Sequence, residues 1–160
     1  MSSVQGVVID IESSGLDVES YPIQIGWAAL DLSTSGSFLI RPADGWIYWD
    51  ERSEAVHGLD RKDLDAGLSV SQACQKLLIA VVGSQLYCDA PPYDQFWLDR
   101  LFAAGGWTER QLHLAHINTR IPDEHNDAFM DELEARARSH DALNDARLIA
   151  AVAMRPKYYG

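Results

Sequence analysis

The sequence predicts an α/β domain built on a mixed sheet. Two observations carry the prediction. The chain opens with three short apolar, β-branched segments separated by turn formers, and from residue 69 onward helical apolar periodicity alternates with brief strand-like runs.

Val4–Ile11 is the first strand, and Tyr21–Leu30 and Gly36–Arg41 are the next two. Asp31-Leu-Ser-Thr-Ser-Gly36 between them is a tight run of turn formers that suits an antiparallel hairpin. From Ser69 to Val82 the apolar positions Val70, Ala73, Cys74, Leu77, Leu78 and Val81 recur at three- and four-residue steps, the spacing of an amphipathic helix capped by Ser69 or Ser71. Gly83-Ser84 ends it. Gln85–Cys88 reads as a fourth, buried strand, after which Pro92 or Asp94 opens a helix through Phe96, Trp97, Leu101 and Phe102 to Gly105-Gly106. Leu112–Ile117 supplies a fifth strand, Pro122–Ser139 a further helix, and Ala142–Met154 a last one that Pro156 stops.

With 160 residues and 17.8 kDa the chain has the size of one domain, expected to span 1–160. Its apolar content of 47% excludes disorder as a description of the whole. Lys+Arg 13 against Asp+Glu 24 gives a net charge of −11, which excludes a protein that coats duplex DNA or membranes by bulk basic charge. No stretch approaches the ~18 apolar residues of a membrane span, and Met1–Gln5 lacks a basic start and apolar run, so a cytoplasmic location is expected. Cys74 and Cys88 lack metal-ligand spacing and read as reduced core thiols.

The acidic residues fall in three sets. Asp10-Ile11-Glu12 closes the first strand, and a strand's period of two puts both carboxylates on one face at the end where open α/β sheets place ligands. Such a pair, if buried, implies a cation or a shared proton; the alternative is two side chains in water at a fraying strand end. Asp94 lies in a helix's first turn just beyond the fourth strand, where the helix dipole alone also favours an acid. His140 precedes the last helix, Asp141 suits its N-cap, and Asp145 falls in its opening turns.

In this order Val8-Ile-Asp-Ile-Glu-Ser-Ser-Gly-Leu-Asp17, Tyr93-Asp94 and His140-x-x-x-x-Asp145 resemble the DEDDh 3′–5′ exonucleases, the DnaQ-like and RNase T-type family. Ala55-Val-His-Gly-Leu59 adds the family's His-Gly-hydrophobic segment, and the resemblance spans nearly the whole chain. It implies a ribonuclease H-like fold, a five-stranded mixed sheet flanked by helices. Asp10, Glu12, Asp94 and Asp145 correspond to the family's four carboxylates, which hold two divalent ions, and His140 to its general base. Oxygen donors suit Mg²⁺, with Mn²⁺ as substitute, rather than zinc. The implied reaction removes nucleoside 5′-monophosphates from the 3′ end of single-stranded DNA or RNA by a two-metal mechanism.

Two departures stand out. The family's usual His-Asn-x-x-Phe-Asp is here Cys88-Asp-Ala-Pro-Pro-Tyr-Asp94, which makes Asp89 a rival ligand; Asp94 is preferred because Tyr93 is expected to pack inward. Asp99, five residues on, is turned by roughly 140° from Asp94 on a helix. Ser13-Ser14 replaces the more usual Thr-Thr near the terminal nucleotide, and the resemblance carries His57 to that nucleotide too, with a core or capping role as the alternative.

Trp46, Tyr48 and Trp49 suit either stacking on unpaired bases or packing over the sheet. Arg155, Lys157, Tyr158 and Tyr159 form a basic and aromatic tail, read as a frayed end in preference to a phosphate-contacting strip. His113, His116 and His125 have no cysteine nearby and alternate in facing, against a zinc site. A phosphatase with Asp10 as nucleophile would want a second Asp where Glu12 stands. The runner-up to the exonuclease is a binding module that keeps the fold but has lost efficient catalysis through its altered Cys88–Asp94 turn. A homodimer is compatible with the Trp-rich segments.

Overall fold

A computed structural model describes residues 6–159. Its strands are β1 (Gly6–Ser13), β2 (Pro22–Ala29), β3 (Ser35–Leu39), β4 (Gln85–Cys88) and β5 (Leu114–His116). Its helices are α1 (Glu51–His57), α2 (Val70–Val81), α3 (Pro91–Ala104), α4 (Asn126–Ala135) and α5 (Ala142–Ala153). The sheet runs β3-β2-β1-β4-β5. β1, β2 and β3 are successively antiparallel, whereas β4 lies parallel to β1 and β5 parallel to β4. This is the mixed five-stranded α/β architecture the sequence predicts.

Alternation along β1 divides the core. Val7, Ile9 and Ile11 face α2 and α3, packing with Leu77, Trp97, Leu98 and Leu101. Val8 faces the other way, toward Phe129 and Leu133 of α4 and Ala146 and Ile149 of α5. A period of two then places Asp10 and Glu12 on the α5 side of the sheet. Gly26, the β2 partner of Asp10, is what lets α5 approach: a Cβ there would collide with the carbonyl of Ala142. Gln24, opposite Glu12, fixes the same helix end by accepting from Ala142 N at 3.0 Å and donating to Asp141 Oδ1 at 3.1 Å. Gly26→Ala should therefore cost about 1–3 kcal/mol through overpacking and lower Tm by several degrees. An unchanged melting curve would mean that α5 does not depend on this close approach.

Local chemistry sets the remaining boundaries. Ser69, not Ser71, caps α2, its hydroxyl accepting from Gln72 N while Gln72 Oε1 accepts from Ser69 N. β1 runs on through Glu12 and Ser13; Val4 and Gln5 of the expected strand lie outside the described residues. The fifth strand shrinks to three residues because His116 Nδ1 accepts from Asn118 N and turns the chain into a 3₁₀ segment.

Two expectations are corrected and one helix is added. The helix foreseen over Pro122–Ser139 starts as a 3₁₀ turn and ends at Ala135, because Arg136 takes an extended conformation. The segment between the third strand and the Ser69 helix contains α1, capped by Asp50 at its start and left-handed Gly58 at its end. The tail is docked, not frayed: Tyr158 is buried edge-on against Phe129 and donates to Glu132 Oε2 at 2.7 Å. No helix among the described residues is long and apolar enough to cross a membrane.

Candidate active site

Four elements deliver acidic groups to one cleft of about 410 Å³. β1 contributes Asp10 and Glu12, the end of β4 Asp89, the first turn of α3 Asp94, and α5 Asp145; His140 joins them from the α4–α5 loop. Their ligand atoms form two clusters, Asp10–Asp89–Asp94 and Glu12–His140–Asp145, each with all atoms within 4.8 Å of one another. Asp10, Asp94 and Asp145 are buried.

Such crowding is unfavourable for anions. Burial, followed by the Asp94 carboxylate and then Glu12, holds Asp10 well above the ordinary range. Glu12 is pushed up to about 8, first by burial and then by Asp145 and Asp94. Asp94 is raised by burial and by Asp89, against a hydrogen bond with the Cys88 thiol that favours its charged form. Oδ2 of Asp10 and Oδ2 of Asp94 are buried without a hydrogen-bond partner. Buried carboxylate oxygens normally have one, so the lone pairs of these two are open to a cation. Hard, anionic oxygen donors with unspent lone pairs fit a divalent cation such as Mg²⁺ or Mn²⁺.

The other two site groups are held from behind. Asp145 Oδ1 accepts from Ser139 N at 3.1 Å and Ser139 Oγ at 3.2 Å. These bonds tie the loop to α5, and His140, beside Ser139, adopts a left-handed conformation with φ 55°. Arg138 anchors the same loop across the cleft by an ion pair to Asp89 Oδ2 at 2.9 Å, with both side chains about four-fifths buried. Arg138→Met should cost about 1–2 kcal/mol by leaving Asp89 unpaired beside Asp10 and Asp94. Adding Asp89→Asn should restore most of that loss in thermal unfolding; additive losses would show that the pair is not coupled.

Asp89 thus belongs to the carboxylate cluster together with Asp94 and is not simply its rival. Tyr93 does not pack inward: it is half-exposed on the cleft wall, its ring 5.8 Å from that of Trp97. What buries Asp94 is the α3 start itself, where Asp94 N donates to Ala90 O at 2.9 Å. Asp99 is turned away and forms a two-pronged ion pair with Arg110.

A second hollow of about 570 Å³ adjoins the cleft, the two sharing Ile11, Glu12, Leu16 and Trp97. Ser13 and His57 line it, with Tyr48, Asp50, Arg52 and Val56 of the α1 region. Ser13 Oγ donates to Gly15 O, and Ser14 Oγ, fully buried, accepts from Tyr21 N, so both hydroxyls brace the turn after β1. His57 Nδ1 accepts from Leu59 N at 3.0 Å, which leaves the proton on Nε2, a buried atom without a hydrogen-bond partner. Burial lowers its basicity below the ordinary value. Trp46 packs on Tyr21 at 5.2 Å, Trp49 donates to Glu54, and only Tyr48 of the three aromatics lines the hollow. His113, His116 and His125 belong to neither metal-competent cluster.

Sheet order, flanking helices and the converging carboxylates define the class: this chain has a DEDDh 3′–5′ exonuclease-like fold. Particular solved structures are similar to it. The nuclease domain of 3′hExo, a DEDDh family member bound to rAMP, superposes with TM-score 0.73 at 15% identity over 98% of this chain and 93% of that one. The E. coli ExoI–ssDNA complex in its zinc-bound form gives 0.75 at 13% identity over 98% of this chain and 41% of its own. Exonuclease I from Methylocaldum szegediense gives 0.75 at 17% identity, covering 98% and 42%. The chain thus spans about two fifths of the exonuclease I chains and nearly all of the 3′hExo nuclease domain. No family model and no curated protein matches the sequence.

Proposed function

We propose that the protein is a metal-dependent 3′–5′ exonuclease acting on single-stranded DNA or RNA with a free 3′ end. The observation that carries this reading is the pair of abutting carboxylate clusters, with two buried oxygens left unpartnered, in a fold shared with exonucleases. Asp10, Glu12, Asp94 and Asp145 would hold two divalent ions, Mg²⁺ or Mn²⁺, with Asp89 beside them. When bound, such ions neutralise charge on the scissile phosphate and on the leaving oxygen and acidify the attacking water.

The chain's own groups account for the remainder. His140 is the one basic group in the Glu12–Asp145 cluster, and its imidazole takes the proton of the attacking water as general base. The ties of Ser139 to Asp145 and of Arg138 to Asp89 fix its position. Ser13, Ser14 and His57 shape the adjoining hollow for the terminal nucleoside. The altered Cys88–Asp94 turn still buries Asp94 within the cluster, which favours hydrolysis over a binding module that has lost catalysis. The test is shortening of a 5′-labelled single strand with release of mononucleotides in Mg²⁺. Activity should vanish with EDTA and in Asp10→Ala; activity that survived both would refute the reading.

A further inference from the structure

Only 13 residues of the chain are Lys or Arg, and three of them meet at one carboxylate. Glu132 of α4 contacts Arg155 at 3.0 Å, Lys157 at 3.3 Å and Arg136 at 3.6 Å, and its remaining partner is the Tyr158 hydroxyl. Glu132 is largely covered, whereas the cations stay open to solvent, Lys157 at 59%, Arg136 at 41% and Arg155 at 38%. Three cations on one carboxylate leave a formal +2. Of the other acids of α4, Asp127 and Asp131 lie roughly 100–140° around the helix from Glu132, and Glu134, roughly 160° away, lines the cleft beside Arg136 and leaves Arg155 and Lys157 unopposed on that helix. Beyond the cluster Arg120 continues the basic surface, its guanidinium 5.8 Å from the Tyr159 ring.

Two features separate this strip from ordinary surface pairing. An ion-pair group serving stability alone gains nothing from excess charge of one sign, since the surplus cations repel one another. The strip also runs into the active site, because Arg136 lines the same cleft as the carboxylates. Docking of Tyr158 against Phe129 keeps Arg155 and Lys157 at that edge.

We propose that Arg136, Arg155 and Lys157, with Arg120 beyond them, form the track along which the phosphate backbone of a single strand approaches the cleft. The inference rests on the exonuclease reading for what happens at the end of the track, but the binding it describes is measurable without turnover. With a net charge of −11 the chain offers a polyanion no bulk attraction, so a short basic strip leading to the site selects a few successive phosphates and not the broad face of a duplex.

The test compares the full chain with its Arg155→Gln/Lys157→Gln variant on two substrates in Mn²⁺: 5′-fluorescein-dT12, and the p-nitrophenyl ester of thymidine 5′-phosphate, which is too small to extend from the carboxylates past Arg136 to Arg155 and Lys157. The variant should raise KM for dT12 about tenfold with kcat little changed, a loss several times greater than for the ester. It should also make the slope of log(1/KM) against log[salt] shallower by about 1.4, the equivalent of two single-strand phosphate contacts. Arg155→Lys should keep most of the dT12 affinity. Equal KM and salt slope for dT12 in variant and parent would overturn the proposal and leave a structural cluster only. Competition by polyglutamate as effective as by unlabelled dT12 would also overturn it, assigning the strip to acidic protein. Should the parent hydrolyse neither substrate, the exonuclease reading fails, and anisotropy of fluorescein-dT12 still decides the track by the same comparison.

Discussion

Asp10→Asn should abolish metal-dependent hydrolysis and, in the absence of metal, make the protein more stable. Both effects follow from one cause. Asp10 is buried, its Oδ2 has no partner, and Asp94, Glu12, Asp89 and Asp145 all disfavour its charge. Asparagine removes that charge with little change of volume, and its amide NH₂ gains neighbouring carboxylates as acceptors. Relief of about 1–2 kcal/mol would raise Tm in EDTA by about 3–6 °C. Catalysis moves the opposite way, because losing several kcal/mol of charge stabilisation at the scissile phosphate costs about a thousandfold or more in rate. The measurements are thermal unfolding in EDTA and mononucleotide release in Mg²⁺. A fall in metal-free Tm would mean that the carboxylate already serves the fold, and would remove the case that it is reserved for a cation.

The opposed effects bear on what could be read from the sequence. Asp10 and Glu12 were legible because a strand has a fixed period: two positions apart on β1 means one face, whatever the tertiary setting. Asp94 and Asp145 were legible as helix-opening acids, but a first-turn acid satisfies a helix dipole equally well, and only tertiary contact separates the two roles. Arg138 was not legible. The apolar spacing of Phe129 and Leu133 continues on paper toward Ser139, whereas the chain leaves the helix at Arg136 so that Arg138 can reach Asp89, 49 residues earlier. α1 is not legible for another reason. None of its residues is buried, so it has no apolar stripe, and its cap signals at Asp50 and Gly58 stood alone.

Asp89 and Arg138 also resolve an apparent excess of charge. In the proposed function four carboxylates would balance two divalent ions, and a fifth would overshoot. Arg138 cancels Asp89, so the departure of this chain from the usual motif adds no net charge to the cleft and gains a tether for the His140 loop.

Metal-free protein should lose stability as pH rises from about 4.5 to about 8, and divalent cation should remove that loss. Glu12 sets the window. Its carboxyl titrates near 8 in the folded chain and near 4.5 when unfolded, so between these values the folded state holds a proton that the unfolded state has released. Folding then takes up protons, and stability falls with each step upward in pH until Glu12 is ionised in both states. Asp10 and Asp94, raised in the same direction from 3.8, steepen the fall. His57, lowered from 6.5 by burial, opposes it, since its stability contribution grows as pH rises toward neutrality, but it is one half-buried group against three carboxylates. The lowered acids Asp50 and Glu132 act at pH values below this window. Cation competes with those protons for the same oxygens, so its stabilising increment must widen as the protons leave. At a hundred times its dissociation constant a single ion contributes about 2.7 kcal/mol, or about 5–10 °C in Tm. Thermal unfolding at pH 5, 6.5 and 8, in EDTA and in millimolar Mn²⁺, should therefore give two curves that diverge toward high pH. Parallel curves, or a metal-free Tm that climbs from pH 5 to 8, would show that these carboxylates are not the groups that bind the ion.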